Sequence, residues 1–254
     1  MHKYILVFFC FSIMFCYSAT QEERLNSLRY ICLYIPSDDL TINEVLPTPA
    51  DIKERYKIND IQLINDLKAL SMKYSVAETN AENRLCRISS IGWMADYGTT
   101  NELQYLRSIM YNPKDYAQEA ALEASLYILK LNPALISLAN EVVTNKAIFS
   151  LSKRSRVYSQ LQYMCYRGGN VTNDLYVSDT NAQARIAAFF LERATVEEDF
   201  PLYVDQVACE LNPSYRHSQQ RRDNLARLRK PGLTGLPAQI YDAAQRDALP
   251  KEAK

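Results

Sequence analysis

Residues 114 to 131 carry apolar side chains on two sides of a predicted helix. Small residues recur at the i, i+3, i+4 and i+7 positions, and a row of leucines runs beside them. The first row is Ala117, Ala120, Ala121, Ala124 and Ile128, and the second is Leu122, Leu126 and Leu129. Residues 181 to 194 repeat the pattern, with Ala184, Ala187, Ala188 and Leu191 on one side and Ile186, Phe189 and Phe190 on the other. A helix apolar on two sides packs between neighbours, and alanines allow close approach, so the pattern predicts stacked helices.

Helical periodicity continues through most of the chain with only short breaks. The predicted helices span 21–35, 60–75, 81–97, 101–111, 114–131, 133–144, 151–167, 181–194, 198–211 and 214–230. The sandwiched helices end at intervals of about 33 residues, which is within the range of helical repeat arrays. The chain has only 6 glycines, few for an α/β protein with its phosphate loops and tight turns. We therefore predict an all-α fold of about five antiparallel helix pairs, with an N-terminal helix and a C-terminal helical tail.

The dipeptide Asn-Pro occurs three times, each time after an apolar helical pattern, at 112–113, 132–133 and 212–213. Proline is favoured at the first position of a helix, where its missing N–H costs nothing, and asparagine is a favoured N-cap. We predict that Pro113, Pro133 and Pro213 each open a helix at a corner between two helices. The alternative is three unrelated turns, since Asn-Pro is a common turn dipeptide.

Two segments resemble HEAT-type repeats of the bacterial lyase-like kind: "TTNELQYLRSIMYNPKDYAQEAALEASLYILKLN" at 99–132, and a degenerate copy, "VEEDFPLYVDQVACELNPSYRHSQQRRDNLARLRK", at 196–230. The resemblance covers roughly residues 60 to 230. It implies a right-handed α-solenoid whose second helices line a concave, partner-binding side. It implies no chemistry. On this basis the repeats occupy 59–230, and 231–254 is a C-terminal tail with a short helix.

The first twenty residues, "MHKYILVFFCFSIMFCYSAT", combine a short basic start with an apolar stretch. This is the outline of a secretory signal peptide, with cleavage after Ser18 or Thr20. An uncleaved anchor is less favoured, since a spanning helix needs about 20 apolar residues. Residues 21–58 then form an N-terminal helix and a proline-containing linker. We expect an exported protein, periplasmic or extracellular, without stable membrane insertion after cleavage.

Charge and histidine content restrict the possible functions. Removing Lys3 with the signal peptide leaves 28 of the 29 basic residues against 29 acidic ones, a balance that argues against nucleic acid as a partner. Only His217 remains outside that peptide, so histidine-based catalysis and multi-histidine metal sites are not expected, and we predict no cofactor. The alternative is a carboxylate-based enzyme acting on an extracellular substrate, using 197–199 (Glu-Glu-Asp) or 37–39 (Ser-Asp-Asp). The simpler interpretation is that 197–199 begin a helix, where acidic side chains complement the helix dipole.

A non-enzymatic binding or scaffold role is therefore the main prediction, and two surfaces compete for it. Arg216, Arg221 and Arg222 crowd the last long helix and could pair with an acidic partner, although a capping helix also needs a polar face. Tyr97, Tyr127, Tyr163 and Tyr166 lie on the second helices of successive pairs, and tyrosine suits contact with peptides or glycans. We favour the tyrosines, because a stack of helix pairs offers a broader surface than one terminal helix. A protein partner is expected first, and a glycan second.

Four cysteines lie outside the signal peptide, at spacings that match no metal or redox motif: Cys32, Cys86, Cys165 and Cys209. The preferred disulfide pair is Cys32 with Cys86, because it would fasten the N-terminal helix to the first repeat. The alternative is that all four are small hydrophobic residues of helix interiors. Asn170 begins the sequence Asn-Val-Thr, a candidate glycosylation site.

Overall fold

The computed structural model describes residues 19–33, 47–166, 175–229 and 231–250. Within these ranges the chain forms twelve α-helices and one short 3₁₀ helix and contains no strand, which confirms the all-α prediction. No helix of the described ranges is both long enough and apolar enough to cross a membrane. Residues 1–18 of the predicted signal peptide, the acidic pair Asp38 and Asp39, and Asn170 lie outside the described residues.

Most helices lie close to their predicted positions, and the α4 bounds agree with the prediction. The helices are α1 Gln21–Leu33, α2 Pro49–Tyr56, α3 Asp60–Met72, α4 Ala81–Tyr97, α5 Leu103–Met110, α6 Gln118–Ile128, α7 Ala134–Thr144, α8 Leu151–Cys165, α9 Thr180–Arg193, α10 Pro201–Leu211, α11 Gln219–Leu228 and α12 Gly235–Asp247. The 3₁₀ turn Thr100–Glu102 precedes α5. Helix α2 begins inside the predicted linker. Its start has a sequence signal, a capping box in which Thr48 and Asp51 satisfy each other's backbone N–H groups, with Pro49 at the first helical position.

The described chain divides into two compact units. The first contains the residues up to Met110 together with Lys114–Ala124, and the second contains Tyr111–Pro113 and the residues from Ser125 onward. In the first unit, α3 and α4 form the most extensive helix pair, and α1 packs against both. Leu28 of α1, Leu63 and Leu67 of α3, and Ile91 and Met94 of α4 are fully buried there.

In the second unit, α9 packs against α7, α8 and α10, and α12 packs against α11. An aromatic cluster forms the centre of its core. The Tyr158 ring lies 5.9 Å from the rings of Phe189, Phe190 and Phe200, measured between centroids. Burying such rings removes a large apolar area from water, and their tilted and edge-on contacts add a further attraction. These aromatic residues therefore contribute much of the packing that holds α8 and α9 together.

The two apolar rows predicted on the central helix are largely buried. Ala117, Ala121, Ala124, Leu122, Leu126 and Leu129 are each at most 4% exposed, whereas Ala120 and Ile128 of the first row are half-buried. The same prediction is wrong for α9. Ile186, Phe189 and Phe190 are buried, but Ala184 and Ala188 are exposed. Alanine is an excellent helix former at exposed positions too, so an alanine row alone does not show that a second neighbour exists.

The predicted role of the three Asn-Pro pairs is wrong in its detail. Pro113 and Pro213 lie in turns, and the next helices begin later, at Gln118 and Gln219. Pro133 is the residue just before α7. Two of the asparagines bond to backbone groups. The Asn132 carboxamide oxygen accepts from the Ala134 N–H, and the Asn212 side chain donates to the carbonyls of Ala187 and Ala208. Asn132 therefore caps the start of α7, directly after Pro133, whereas Asn212 bonds to a carbonyl at the end of α10.

Replacing Ala121 by leucine should destabilise the fold, because its methyl group is fully buried and three further carbons would have to displace packed neighbours. We expect a loss of about 1 to 3 kcal/mol in the free energy of unfolding, measured by urea titration. Ala226→Leu is the matched control, since Ala226 is an exposed residue of α11. Equal denaturation midpoints for the two variants would contradict a sandwiched α6.

Candidate functional site

The most exposed of the four candidate tyrosines lie at the end of α8. Tyr163 is 55% exposed and Tyr166, the C-cap residue, is 63% exposed. They belong to a surface that we call the tyrosine patch, formed by Gln162, Tyr163 and Tyr166 of α8 and its cap together with Tyr203 and Glu210 of α10. Large aromatic rings of this exposure are typical of contact surfaces, because burial of each ring on binding removes apolar area from water.

Hydrogen bonds between α8 and α10 hold the patch in place. The Tyr203 hydroxyl donates to the Gln162 carboxamide oxygen at 2.6 Å, and the Gln162 nitrogen donates to a Glu210 carboxylate oxygen at 3.2 Å. Gln206 donates to the other Glu210 oxygen at 3.0 Å. Tyr163 lies close enough to interact electrostatically with Tyr203, whose pKa is raised, chiefly by burial. The patch therefore combines exposed rings with a fixed set of amide and carboxylate groups.

Helix geometry explains why the α10 side chains of the patch share a surface. Tyr203, Gln206 and Glu210 are spaced i, i+3 and i+7, and residues at such spacings lie on one side of a helix. On α8, Gln162 and Tyr163 are adjacent, and Tyr166 is the extended cap residue beyond the helix. The opposite side of α10 is core, where Val204, Val207 and Ala208 are buried. Both helices thus direct their core faces inward and their patch residues outward.

The other two candidate tyrosines are less available for contact. Tyr97, at the end of α4 in the first unit, is half-buried, and its pKa is raised, first by burial and then by Asp96. Tyr127, in the second unit, is also half-buried, and the Lys130 ammonium lies 3.7 Å from its ring centroid. A cation over the ring already occupies the face that a ligand would use.

The arginines near the C-terminus have internal partners. The Arg221 guanidinium is 4% exposed. It binds the Asp205 carboxylate through Nε and Nη2, at 2.9 to 3.2 Å, and donates through Nη1 to the Arg216 carbonyl and to Asp247 of α12. A buried guanidinium is costly unless its charge is paired and its N–H groups are hydrogen-bonded, and here the carboxylates and the carbonyl meet both conditions. Arg221 therefore holds α10, α11 and α12 together.

Arg222 and Arg216 take part in the same attachment of α12. Arg222 donates to the carbonyls of His217 and Ala248, at 2.8 and 3.1 Å, and to Gln219. Arg216 is exposed, and its Nε lies 3.8 Å from an Asp247 carboxylate oxygen. Arg222 is thus hydrogen-bonded at the junction of α11 with α12, and the charge of Arg216 is partly balanced there by Asp247.

Glu197 and Asp199 occupy an ionic cluster rather than a helix start, which corrects the sequence-based interpretation. Helix α10 begins at Pro201, after both residues. Glu197 is 2% exposed and accepts hydrogen bonds from the Tyr158 hydroxyl and, at 2.8 Å, from Arg193. The short loop between α9 and α10 thus folds the first acidic residue back onto α8 and α9, a contact that local sequence does not reveal.

Asp199 bonds to the two other cations of the cluster. Arg154, itself buried, donates to it at 2.5 Å, and the Lys146 ammonium lies 3.0 Å away. The side chain of the neighbouring Glu198 is 78% exposed, and its carboxylate lies 3.5 Å from the Lys146 ammonium. Two of the three acidic residues therefore act as counter-ions for buried arginines of α8 and α9.

This environment keeps both carboxylates ionised. Burial alone would raise the pKa of Glu197, but the hydrogen bonds from Arg193 and Tyr158 outweigh it and the pKa lies below its usual range. Hydrogen bonds from Arg154 and Lys146 lower the pKa of Asp199. A general acid needs the opposite shift, toward a raised pKa. The pair therefore lacks the electrostatic property that a carboxylate-based hydrolase requires of its proton donor.

The remaining predicted residues are placed as follows. His217 is half-buried in the turn before α11, and its carbonyl accepts from Arg222. The described residues contain no group of three or more histidine, cysteine or acidic side chains placed to hold a metal ion. Cys32, Cys86, Cys165 and Cys209 are all thiols in the structure, and only Cys165 is more than slightly exposed.

Comparison with protein-family models, with curated proteins and with solved structures found no match to this chain.

Glu197→Gln should destabilise the protein at neutral pH, because a neutral amide cannot match the Arg193 charge. We expect a loss of about 1 to 3 kcal/mol at pH 7 by urea titration. The folded-state pKa of Glu197 lies below its unfolded value, so its contribution is present above the unfolded pKa and is lost as the pH falls through the folded one. The deficit of the variant should accordingly stay constant from pH 7 down to the unfolded value of 4.5 and shrink as the pH is lowered further, toward about 3.

Glu198→Gln provides the control, since it removes the same charge from an exposed neighbour and should change the midpoint little at either pH. A Glu197→Gln deficit that stays constant from pH 7 down to about pH 3 would contradict the ionised, structural role of Glu197.

Proposed function

We propose that this chain is a non-enzymatic binding or scaffold protein that contacts a protein partner through the tyrosine patch. The observation that carries the proposal is the exposure of Tyr163 and Tyr166, both above one half, beside the hydrogen-bonded network of Gln162, Tyr203 and Glu210. Interface cores are enriched in tyrosine, whose rigid ring gives a large contact area at small entropic cost. The amides and the carboxylate then supply directional bonds at the edge of the contact.

The tyrosine patch is preferred to the arginine-rich surface because of what each group already binds. Arg221 is buried against Asp205, and Arg222 donates to three internal acceptors. Recruiting either to a partner would break bonds that attach α12. Tyr163 and Tyr166 are 55% and 63% exposed, so a partner can bury a large part of each ring. Arg216 is exposed, so a subsidiary contact through that side chain fits the same proposal.

The enzymatic alternative receives less support. Among the described carboxylates first considered for acid and base chemistry, Glu197 and Asp199 are held as counter-ions, and their pKa values are lowered. A hydrolase of the carboxylate type needs one of its two groups protonated near neutral pH. Protonating Glu197 would leave Arg193 without its anionic partner, which is costly in a buried site.

We further propose that the helices form a right-handed α-solenoid of the HEAT type, with about five antiparallel pairs, and that the protein is exported. Support for the solenoid comes from the repeat spacing of about 33 residues and from packing within each unit, where helices mainly contact their neighbours in sequence. The N-terminal sequence supports export to the periplasm or the cell exterior. A scaffold in that compartment would meet envelope or extracellular proteins.

The test is a quantitative pull-down from an envelope extract of the native cells, using the full chain and the double variant Tyr163→Ala/Tyr166→Ala. We expect the double variant to bind its main partner at least about thirtyfold more weakly, which corresponds to loss of an interface hot spot. Tyr30→Ala is the matched control, because Tyr30 is 65% exposed but lies on α1 in the first unit. Both variants should keep the unfolding midpoint of the original chain.

Two treatments separate the competing partners. Raising salt from about 0.05 M to 0.5 M should affect binding through the rings only weakly, whereas binding through Arg216 or Arg222 should fall sharply. Protease treatment of the extract should abolish capture of a protein partner. Capture that resists protease but is lost after periodate oxidation would identify a glycan instead. Binding that survives the double tyrosine variant and collapses with salt would reject the patch.

A further inference from the structure

Helix α1 is attached to the first unit at both of its ends. Near its start, the Arg24 guanidinium binds the buried Asp66 carboxylate of α3, at 2.6 Å through Nε and 3.2 Å through Nη2. In its last turn, Cys32 is 7% exposed and faces α4. Leu28, midway between them, is fully buried. Helix α1 therefore packs on the α3–α4 pair. An ion pair holds its start, and the hydrogen bond of the Cys32 thiol holds its last turn.

Cys32 and Cys86 lie side by side in this contact. The Cys32 thiol donates to the Cys86 carbonyl oxygen with a sulfur to oxygen distance of 3.8 Å, across a separation of 54 residues in sequence. Cys86 is fully buried, and the two thiols interact with each other directly. The Tyr74 phenol lies against the same pair, since burial first and the Cys86 thiol next raise the pKa of Tyr74. Both cysteines thus lie in the contact between α1 and α4, one on each helix, which makes them candidates for cross-linking.

We propose that Cys32 and Cys86 form a disulfide that fastens α1 to α4 in the mature protein. Two thiols become one disulfide by losing two electrons and two protons, and a disulfide oxidant such as oxidised glutathione takes them up as two thiols of its own. The inference rests on the placement of the two residues and is independent of the proposed binding function.

Burial determines when this bond can form. Attack on an oxidant requires a thiolate, and burial, followed by the neighbouring Cys86, raises the pKa of Cys32 well above its usual range. Burial likewise raises the pKa of Cys86. Once α1 has docked, both sulfurs are thus poor nucleophiles and out of reach of a solvent oxidant. The bond must form while α1 is still undocked, which makes it a product of folding under oxidising conditions.

The experiment refolds the mature chain, without residues 1–20 and the Cys10 and Cys16 that they contain, from denaturant in a mixture of reduced and oxidised glutathione. Remaining thiols are then alkylated, and the peptides are mapped by mass spectrometry without reduction. We expect a linked Cys32–Cys86 peptide, with Cys165 and Cys209 alkylated. In a parallel sample, protein folded in reductant and then exposed to the same mixture should form the bond at least about tenfold more slowly than the refolding chain. Adding urea just below the unfolding midpoint should restore fast oxidation.

A stability comparison gives an independent readout. Closing a loop of 54 residues should lower the unfolding equilibrium constant by up to about a thousandfold, so reductant should lower the urea midpoint. Cys32→Ser should abolish this effect of reductant, whereas Cys165→Ser, at a half-buried position on α8, should leave it intact. Alkylation of both Cys32 and Cys86 after oxidative refolding, or pairing of either with another cysteine, would overturn the proposal.

Discussion

Buried arginines bonded to carboxylates are the interaction on which the helix packing depends. Arg87 donates to the carbonyls of Ser71 and Tyr74, at the end of α3, and binds Asp115 at 2.5 Å. Arg154 and Arg221 bond in the same way. Each donates to a backbone carbonyl just before its own helix and to a carboxylate from another segment of the chain. A guanidinium has five N–H donors in a fixed fork, so one side chain can bond at the same time to backbone carbonyls outside the helical hydrogen-bond pattern and to a carboxylate. The carboxylate then balances the charge, and without it the buried cation would be very costly.

This use of charge inside the fold limits what charge can do outside it. The sequence suggests two charged sites, an arginine cluster and a run of three acidic residues. Most of these side chains form ion pairs or hydrogen bonds inside the fold. Arg221 and Glu197 are each almost completely buried and matched by an opposite charge. The rings of Tyr163 and Tyr166 remain more than half exposed. The lowered pKa values of Glu197 and Asp199 are the opposite of what a general acid needs near neutral pH.

The sequence predicted the helices well because periodicity is a local property. The bounds of α4 and the two largely buried rows of α6 follow from residue spacing alone. One error concerns a feature that depends on a distant partner. Nothing near Glu197 indicates that the chain will turn back onto Tyr158, 39 residues earlier. The start of α11 is a different kind of error, because its signal is local: the Ser218 hydroxyl accepts from the Arg221 N–H, and α11 begins at Gln219, after this cap and not at the preceding Asn-Pro pair. The candidate site was predictable as a set of tyrosines, but not which of them would be exposed.

Helix α8 shows why exposure had to come from the fold. Tyr158 and Tyr163 are chemically identical and five residues apart, which places them about 140° apart around a helix. Tyr158 is fully buried, with its ring among phenylalanines and its hydroxyl on Glu197, whereas Tyr163 is 55% exposed. Two identical residues thus have different roles: Tyr158 attaches α8 to α9 and to the α9–α10 loop, and Tyr163 faces solvent. The buried tyrosine makes the exposed one more useful, because a ring on a firmly anchored helix loses little freedom when a partner covers it.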